Sequence, residues 1–257
     1  MQCKDQLHTV FEFLQTPKRI VSLVPSQTEL LIDLGLRKQV VGITKFCTHP
    51  DSLKVEKTIV GGTKTIHIDT IKDLRPDIII CNKEENTKEI VASCAKIAPV
   101  WVSDIYTIND ALEMISLLGS IFQKEKNATE ISHNITREFN SFKDFMDKKS
   151  LKKVAYLIWQ KPFMVAGAHT FINSLLSINK FENIAKNPTS RYPEVDLEDL
   201  KQADLILLSS EPFPFSEKHV KVLENVTKKQ VMLVDGTYFS WYGSRLQDAF
   251  SYFKTLH

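Results

Sequence analysis

The stretch NATEISHNITREFNSFKDFMDKK, residues 127–149, decides how the rest of the chain is organised. Ala128, Ile131, Ile135, Phe139, Phe142 and Met146 recur at steps of three and four, so they share one face of a helix. Polar residues fill the intervening positions, and neither Gly nor Pro interrupts. At ~1.5 Å per residue, such a helix reaches about 35 Å, roughly the width of a small domain. The flanking segments both alternate short apolar runs with helix-like patterns. One long amphipathic helix between two similar α/β halves predicts a rigid strut, with small lobe motion on binding. The halves then face each other across a cleft, with boundaries at residues 1–122, 123–150 and 151–257.

Working toward the start, residues 20–24 form an apolar run ended by Pro25. Ser26-Gln27-Thr28-Glu29 reads as a capping box, with Ser26 as cap and Glu29 reaching back, and Gly35 closes the helix. Further strands are expected at 40–43, 77–81 and 100–102. Helices are expected to begin at Ile68 and to cover 88–95 and 109–122. Beyond the strut, strands are expected at 154–159, 163–166, 205–208 and 231–234, and a polar loop at 188–193. Helices there are expected at 170–178, 197–202, 216–226 and 244–256. Strands alternating with helices predict parallel sheets in both halves.

The halves share a local pattern. Ile68-Asp69-Thr70-Ile71 precedes Asp77 and an apolar strand; Leu197-Glu198-Asp199-Leu200 precedes Asp204 and another. Seven residues beyond each of those strand-opening aspartates stands a glutamate, Glu84 and Glu211. This reads as one unit used twice, with a pseudo-twofold relation that makes Asp69 and Glu198 equivalent surface corners.

Bulk properties narrow the function. The 257 residues suffice for one large or two modest domains with real cores. A hydrophobic content of 43% with 25% charged residues is that of an ordinary globular chain. A formal charge of +2 gives no support for nucleic-acid binding. No apolar run approaches the ~20 residues of a membrane span, so no membrane insertion is expected. The opening residues lack a basic segment followed by an apolar one. As written the chain is expected in the cytoplasm, or in an extracytoplasmic space if the true start lies upstream. Cys3, Cys47, Cys81 and Cys94 include no C-x-x-C pair and read as reduced structural thiols.

Several segments together resemble a known family. They are Arg19-Ile20-Val21-Ser22-Leu23-Val24-Pro25-Ser26 with Glu29, Leu74-Arg75-Pro76-Asp77, the uninterrupted strut, and Tyr242-Gly243-Ser244-Arg245. The chain resembles the helical-backbone (class III) substrate-binding proteins of ABC importers, which serve vitamin B12, ferric siderophores and haem. Within that group it looks most like the B12-binding branch. The resemblance implies two Rossmann-like α/β lobes joined by one backbone helix, with ligand in the interlobe cleft. Open α/β sheets do bind at the carboxyl ends of their strands.

Carried over by that resemblance, the N-lobe wall is Pro25, Ser26, the 46–49 loop with Phe46 and His49, Thr63 and Asn82. The C-lobe wall is Trp159, Tyr192, Thr237, Tyr238 and Trp241, with Arg245 nearby. Asp69 and Glu198 are implied to dock the lobes onto an importer permease. Thr63 and Asn82 stand where the B12 branch has aromatic rings, and Thr237 and Trp241 where it has an Asp and an Arg. With Thr63 and Asn82 there, the N-lobe wall is more polar than in that branch.

Exposed rings give contact area with few rotamers to lose, which suits a flat macrocycle and favours a cleft position for Trp241. Core packing accounts better for Phe239. Glu84 and Glu211, with His49 or His169, are further cleft candidates for a polar site; ordinary solvated loop glutamates are the plainer account. Cys47 and His49 offer too few donors for a metal site, and no resident metal is expected. No G-x-S-x-G, G-x-x-x-x-G-K-[ST] or H-E-x-x-H stretch occurs. The resemblance thus implies binding without chemistry: cobalamin or a related metal chelate held as transported ligand, with no covalent cofactor, by a monomer. The alternative is a cytoplasmic corrinoid or metal-chelate carrier with the same fold and no transporter.

Overall fold

A computed structural model describes residues 2–185 and 190–257; Pro188, at the start of the expected polar loop, lies outside the described residues. The chain packs as two compact units, residues 1–136 with 241–247 and residues 137–240 with 248–257.

The first unit opens with an antiparallel hairpin of β1 (Gln2–Lys4) and β2 (Val10–Glu12). Then come β3 (Ile20–Ser22), α1 (Pro25–Asp33), β4 (Val40–Ile43), α2 (Leu53–Glu56) and β5 (Thr58–Ile59). α3 (Ile68–Asp73), β6 (Ile78–Asn82), α4 (Lys88–Cys94), β7 (Val100–Ser103) and α5 (Ile108–Ile121) complete the lobe. Its sheet has the order β5-β4-β3-β6-β7, with every neighbour parallel. All of β6 is buried, as a central parallel strand covered on both faces must be. Val21, Leu23, Ile79 and Cys81 pack with Ile71, Ile90 and Cys94 in one core.

The hairpin was not expected, and it covers an edge. Asp5 is buried and its carboxylate accepts the N–H groups of Leu7 (3.0 Å), Thr9 (2.8 Å) and Val102 (3.3 Å). Gln6 N–H donates to the Val102 carbonyl at 3.3 Å, and the Trp101 indole donates to that of Lys4 at 3.2 Å. The otherwise open edge of β7 is thereby satisfied.

The long amphipathic helix is α6 (Glu125–Met146), which starts two residues earlier than the periodicity suggested. Ala128, Ile131, Ile135, Phe142 and Met146 are all buried, as the spacing required, and Phe139 is half-buried. Where α6 leaves α5, a Cβ on Gly119 would collide with that of Ala128, so only glycine allows this approach. The helix belongs to the first unit through Thr136 and to the second from Arg137. In the second unit its Phe139 and Phe142 rings meet Phe250 at 5.5 and 5.8 Å.

The second unit continues with β8 (Lys152–Trp159), β9 (Phe163–Val165), α7 (Phe171–Ile178), β10 (Phe181–Asn183), β11 (Glu194–Val195) and α8 (Leu197–Leu200). β12 (Leu205–Ser209), α9 (Glu217–Thr227), β13 (Gln230–Val234), α10 (Gly236–Ser240) and α11 (Leu246–Lys254) follow. β8, β12 and β13 are parallel, as expected, and β10, a strand not expected, joins β8 in parallel as well. β9 and β11 are antiparallel, a correction to the all-parallel expectation. The link from Trp159 to Phe163 is too short for a crossover, so the chain must turn back on itself.

The twice-used unit is real at the level of hydrogen bonds. Asp77 N–H donates to the Arg19 carbonyl at 2.8 Å, and its carboxylate accepts from Lys18 (2.8 Å) and Arg19 (3.0 Å). Asp204 N–H donates to the Lys153 carbonyl at 2.8 Å and accepts from Lys153 N–H at 2.9 Å. Each aspartate pins its strand to the neighbouring one. At the far end, Glu84 N–H donates to the Asn82 side chain at 2.8 Å, and Glu211 N–H to that of Ser209 at 3.4 Å.

Candidate functional site

The loops at the carboxyl ends of the N-lobe strands begin with Pro25. Pro25 occupies the first turn of α1, with Val24 as cap and no side-chain capping bond. Ser26 is therefore already inside the helix and the expected capping box does not form. Proline's fixed φ and missing N–H suit the first helical position, which starts the helix two residues early. Glu29 instead takes a bidentate bond from Arg245, with Nε and Nη2 at 2.9 and 2.5 Å. Burial pushes the Glu29 carboxyl upward, and Arg245 opposes that push. The guanidinium also lies 5.0 Å from the centre of the Trp241 ring, whose edge contact with His49 is at 5.4 Å.

This places Trp241 and Arg245 with the N-lobe, correcting the C-lobe wall expected for them. The segment crosses over because Gly243, at φ 122°, lies against Leu30 and Ser26 of α1. Trp241 is only 6% exposed. It supports His49 and Arg245 rather than offering an open face. Tyr242 beside it is buried, and its phenol is raised by burial and by the carboxylates of Glu85 and Glu84.

After β4 the chain turns through Phe46, Cys47 and His49. Lys45 N–H donates to the Gly61 carbonyl at 2.8 Å, and Phe46 N–H to the Thr44 hydroxyl at 3.3 Å. Phe46 is 50% exposed and His49 half-buried. Cys47 is buried against Thr28 and Thr44, and burial raises its thiol, so it does not join His49 as a metal donor. Thr63 is half-buried in the turn that follows β5.

Asn82 departs from expectation. It is 2% exposed, its amide donating to Ser103 and its oxygen accepting from Glu84 and Glu85. A side chain so used shapes the loop and presents nothing to a ligand. Ser26 is likewise buried, whereas Pro25 is half-buried.

In the C-lobe, Trp159 ends β8 at 41% exposure, propped edge-on by Phe213 at 5.7 Å. Tyr238 stacks on Tyr252 at 4.5 Å, and Thr237 bonds Asp235 through both its N–H (2.9 Å) and its hydroxyl (2.7 Å). Tyr192 is half-buried and His169 exposed. Glu211 accepts from Ser240 at 2.6 Å.

Asp69 and Glu198 are both exposed in the first turns of α3 and α8, each preceded by an exposed aliphatic residue, Ile68 and Leu197. A groove of about 1110 Å³ borders Ile68 and Asp69, and one of about 610 Å³ borders Leu197 and Glu198. Glu198 is paired with Lys201 at 2.6 Å.

Sequence reasoning missed the Glu29–Arg245 pair. Pro25 held the signal, since it moves the helix start and frees Glu29 from a capping role. Lys45, whose ammonium stands 5.1 Å from the Phe46 ring centre, and Lys64, which donates to the Glu84 carbonyl, were also missed, because a lone surface lysine has no distinctive spacing.

Comparison with known proteins supplies the family. The chain is 27% identical over 182 residues, 67% of its length, to an uncharacterized ABC transporter substrate-binding lipoprotein, YvrC, of Bacillus subtilis, and spans 57% of that protein. It is 23% identical over 187 residues, 72% of its length, to the vitamin B12-binding protein of Yersinia pestis, and spans 66% of that one. The periplasmic vitamin B12 binding protein BtuF of Vibrio cholerae superposes with a TM-score of 0.80 at 20% identity, covering 93% of this chain and 98% of the other. That likeness establishes the two-lobed fold. The model of the periplasmic binding protein family matches residues 20–230. The chain belongs to the periplasmic binding protein family.

Proposed function

We propose that this protein is the substrate-binding component of an ABC importer, and that it holds a bulky metal chelate of the cobalamin, haem or ferric-siderophore class without altering it. The observation that carries this reading is the family match over residues 20–230, in a chain whose sheets end in exposed aromatic rings, Phe46 and Trp159. Rings provide contact area, and the polar loop groups about them give orientation. No thiol in the described core is activated for chemistry: burial raises Cys47, Cys81 and Cys94, the last to about 11. The relatives' names describe a lipoprotein and B12-binding proteins, which favours a role outside the cytoplasmic membrane and a permease partner. Among the described residues no helix is long and apolar enough to cross a membrane.

Asp69 and Glu198 are the groups we assign to docking on the permease. Acid at a helix start is favourable to the helix by itself. The reading rests on its recurrence in both lobes, each time beside an exposed aliphatic side chain and a groove.

The test is a visible titration of the purified protein with cobalamin, haem and a ferric siderophore, each of which has its own absorption band. Saturable binding of one of them, with the ligand recovered unchanged, is expected. Binding of none, or turnover of any, overturns the reading.

A further inference from the structure

We propose that Asn86 is a positioning residue of the N-lobe: its buried amide fastens three of the carboxyl-end loops into one preformed surface, so that a ligand meets loops already in place. The proposal rests on the substrate-binding reading above and adds to it a residue that need not touch the ligand. Asn86 is 4% exposed and stands between β6 and α4. Its own N–H donates to the Asn82 carbonyl at 2.9 Å, and the next residue, Thr87, caps α4 by accepting from Ile90 N–H at 3.3 Å. The backbone is therefore held on both sides, and the side chain reaches out from a fixed point. Oδ1 accepts from Asn82 N–H at 2.9 Å and closes the turn that carries Glu84 and Glu85. Nδ2 donates to the Thr63 carbonyl at 3.0 Å and to the Leu23 carbonyl at 3.4 Å. Those two partners are 23 and 63 residues away in sequence, so the bonds join separate loops rather than finishing a local turn.

Each partner steers a stretch that reaches the surface. Leu23 leads into half-buried Pro25 at the start of α1. Thr63 belongs to a turn closed by the bond from Gly62 N–H to the Thr65 carbonyl (2.6 Å). That turn also takes Lys45 N–H at the Gly61 carbonyl (2.8 Å), and the ring of exposed Phe46 lies against Gly62. Asn82 holds the third loop from its other side. Its oxygen accepts from Glu84 (2.8 Å) and Glu85 (3.0 Å), and its nitrogen donates to the Ser103 hydroxyl (2.9 Å), which also takes the Gln27 amide. An amide carries two donor hydrogens and an acceptor oxygen. Asn86 uses the oxygen within its own turn and the nitrogen across to the others. In a buried network the loss of one member leaves its partners unpaired, so the three loops hold or loosen together. Loops fixed beforehand spare a ligand the entropy of ordering them, which raises affinity without any new contact.

Asn86→Asp separates the two uses of the amide. It keeps Oδ1 for Asn82 and sets an oxygen, in place of the donating nitrogen, against the Thr63 and Leu23 carbonyls. The whole protein, parent and variants, is titrated at about pH 8, where a carboxyl is ordinarily ionised. The probes are cyanocobalamin, ferric protoporphyrin and a ferric siderophore, and amide hydrogen exchange is followed without ligand. In N86D the affinity for whichever probe the parent binds is expected to fall about tenfold, the order of effect when two hydrogen bonds must form again on binding. Exchange at the Gly62 and Lys45 N–H groups quickens, while Glu84 and Glu85 keep the parent's protection. N86A, which removes the bonds without adding charge, weakens binding as far and loosens Glu84 and Glu85 too. D77A is the control: Asp77 pins the opposite end of β6, so this variant loses stability and keeps the parent's affinity. Parent-like affinity in either Asn86 variant overturns the proposal and leaves the substrate-binding reading standing. So does unchanged exchange at Gly62 in N86D, or an affinity that falls in D77A as far as in N86D. A parent that binds none of the three probes overturns both.

Discussion

Arg245 holds a carboxylate that burial works against. Glu29 lies in α1, its carboxyl pushed up by burial, and Arg245 supplies both of the bonds that oppose this. R245A leaves that acid buried without its cation, for which loss of about 3 kcal/mol is typical. The loss depends on pH in a definite direction. A group whose folded pKa exceeds its unfolded value lowers stability as pH rises through the folded value. R245A should therefore be nearest to the parent below Glu29's ordinary value of 4.5, and furthest from it at neutral pH, as read by urea midpoints. A deficit independent of pH would show that Arg245 acts by packing alone.

His257 gives the opposite slope. Its ring stacks on Phe181 at 4.9 Å; burial first, then Lys149 and Lys152, depress it from 6.5 to about 4. The unfolded chain takes up this proton before the folded one does, so stability falls as pH drops from 6.5 toward 4. H257F keeps the stacking and removes the proton, and the acid-side decline of the urea midpoint should become shallower.

At the scale of elements, α6 and the two strand-opening aspartates carry the architecture. F142A removes a fully buried ring that contacts Phe250 and Phe253, and should cost about 3–5 kcal/mol in the second unit. D77A and D204A each strip a carboxylate from backbone N–H groups, a loss of roughly 1–2 kcal/mol. Asp77 serves Lys18 and Arg19 and Asp204 only Lys153, so D77A should lower the melting midpoint more. What the sequence disclosed follows from this. A stripe such as Ala128 to Met146 is legible because it repeats one period along most of a 22-residue helix. The hairpin of Gln2–Lys4 and Val10–Glu12 is not, because three residues are too few to show alternation. The direction of Phe163–Val165 is hidden in the apolar run itself, which reads the same both ways, and shows only in the short link before it.

At the scale of the whole molecule, the family and the two-lobed fold were readable from segments around Pro25, Asp77 and Tyr242. The lining of the site was readable only in part. Phe46 and Trp159 are exposed, whereas Asn82 and Trp241 are drawn inward by Ser103, His49 and Arg245. Long-range partners of this kind leave no local mark on a sequence. The most direct measurement is a crystal structure of the protein with the tightest-binding chelate from the titrations. The chelate is expected intact at the carboxyl ends of the N-lobe strands, its flat face on Phe46. A chelate at the opposite edge of that sheet, in the groove beside Asp69, or one recovered chemically altered, would contradict the binding role assigned to these loops.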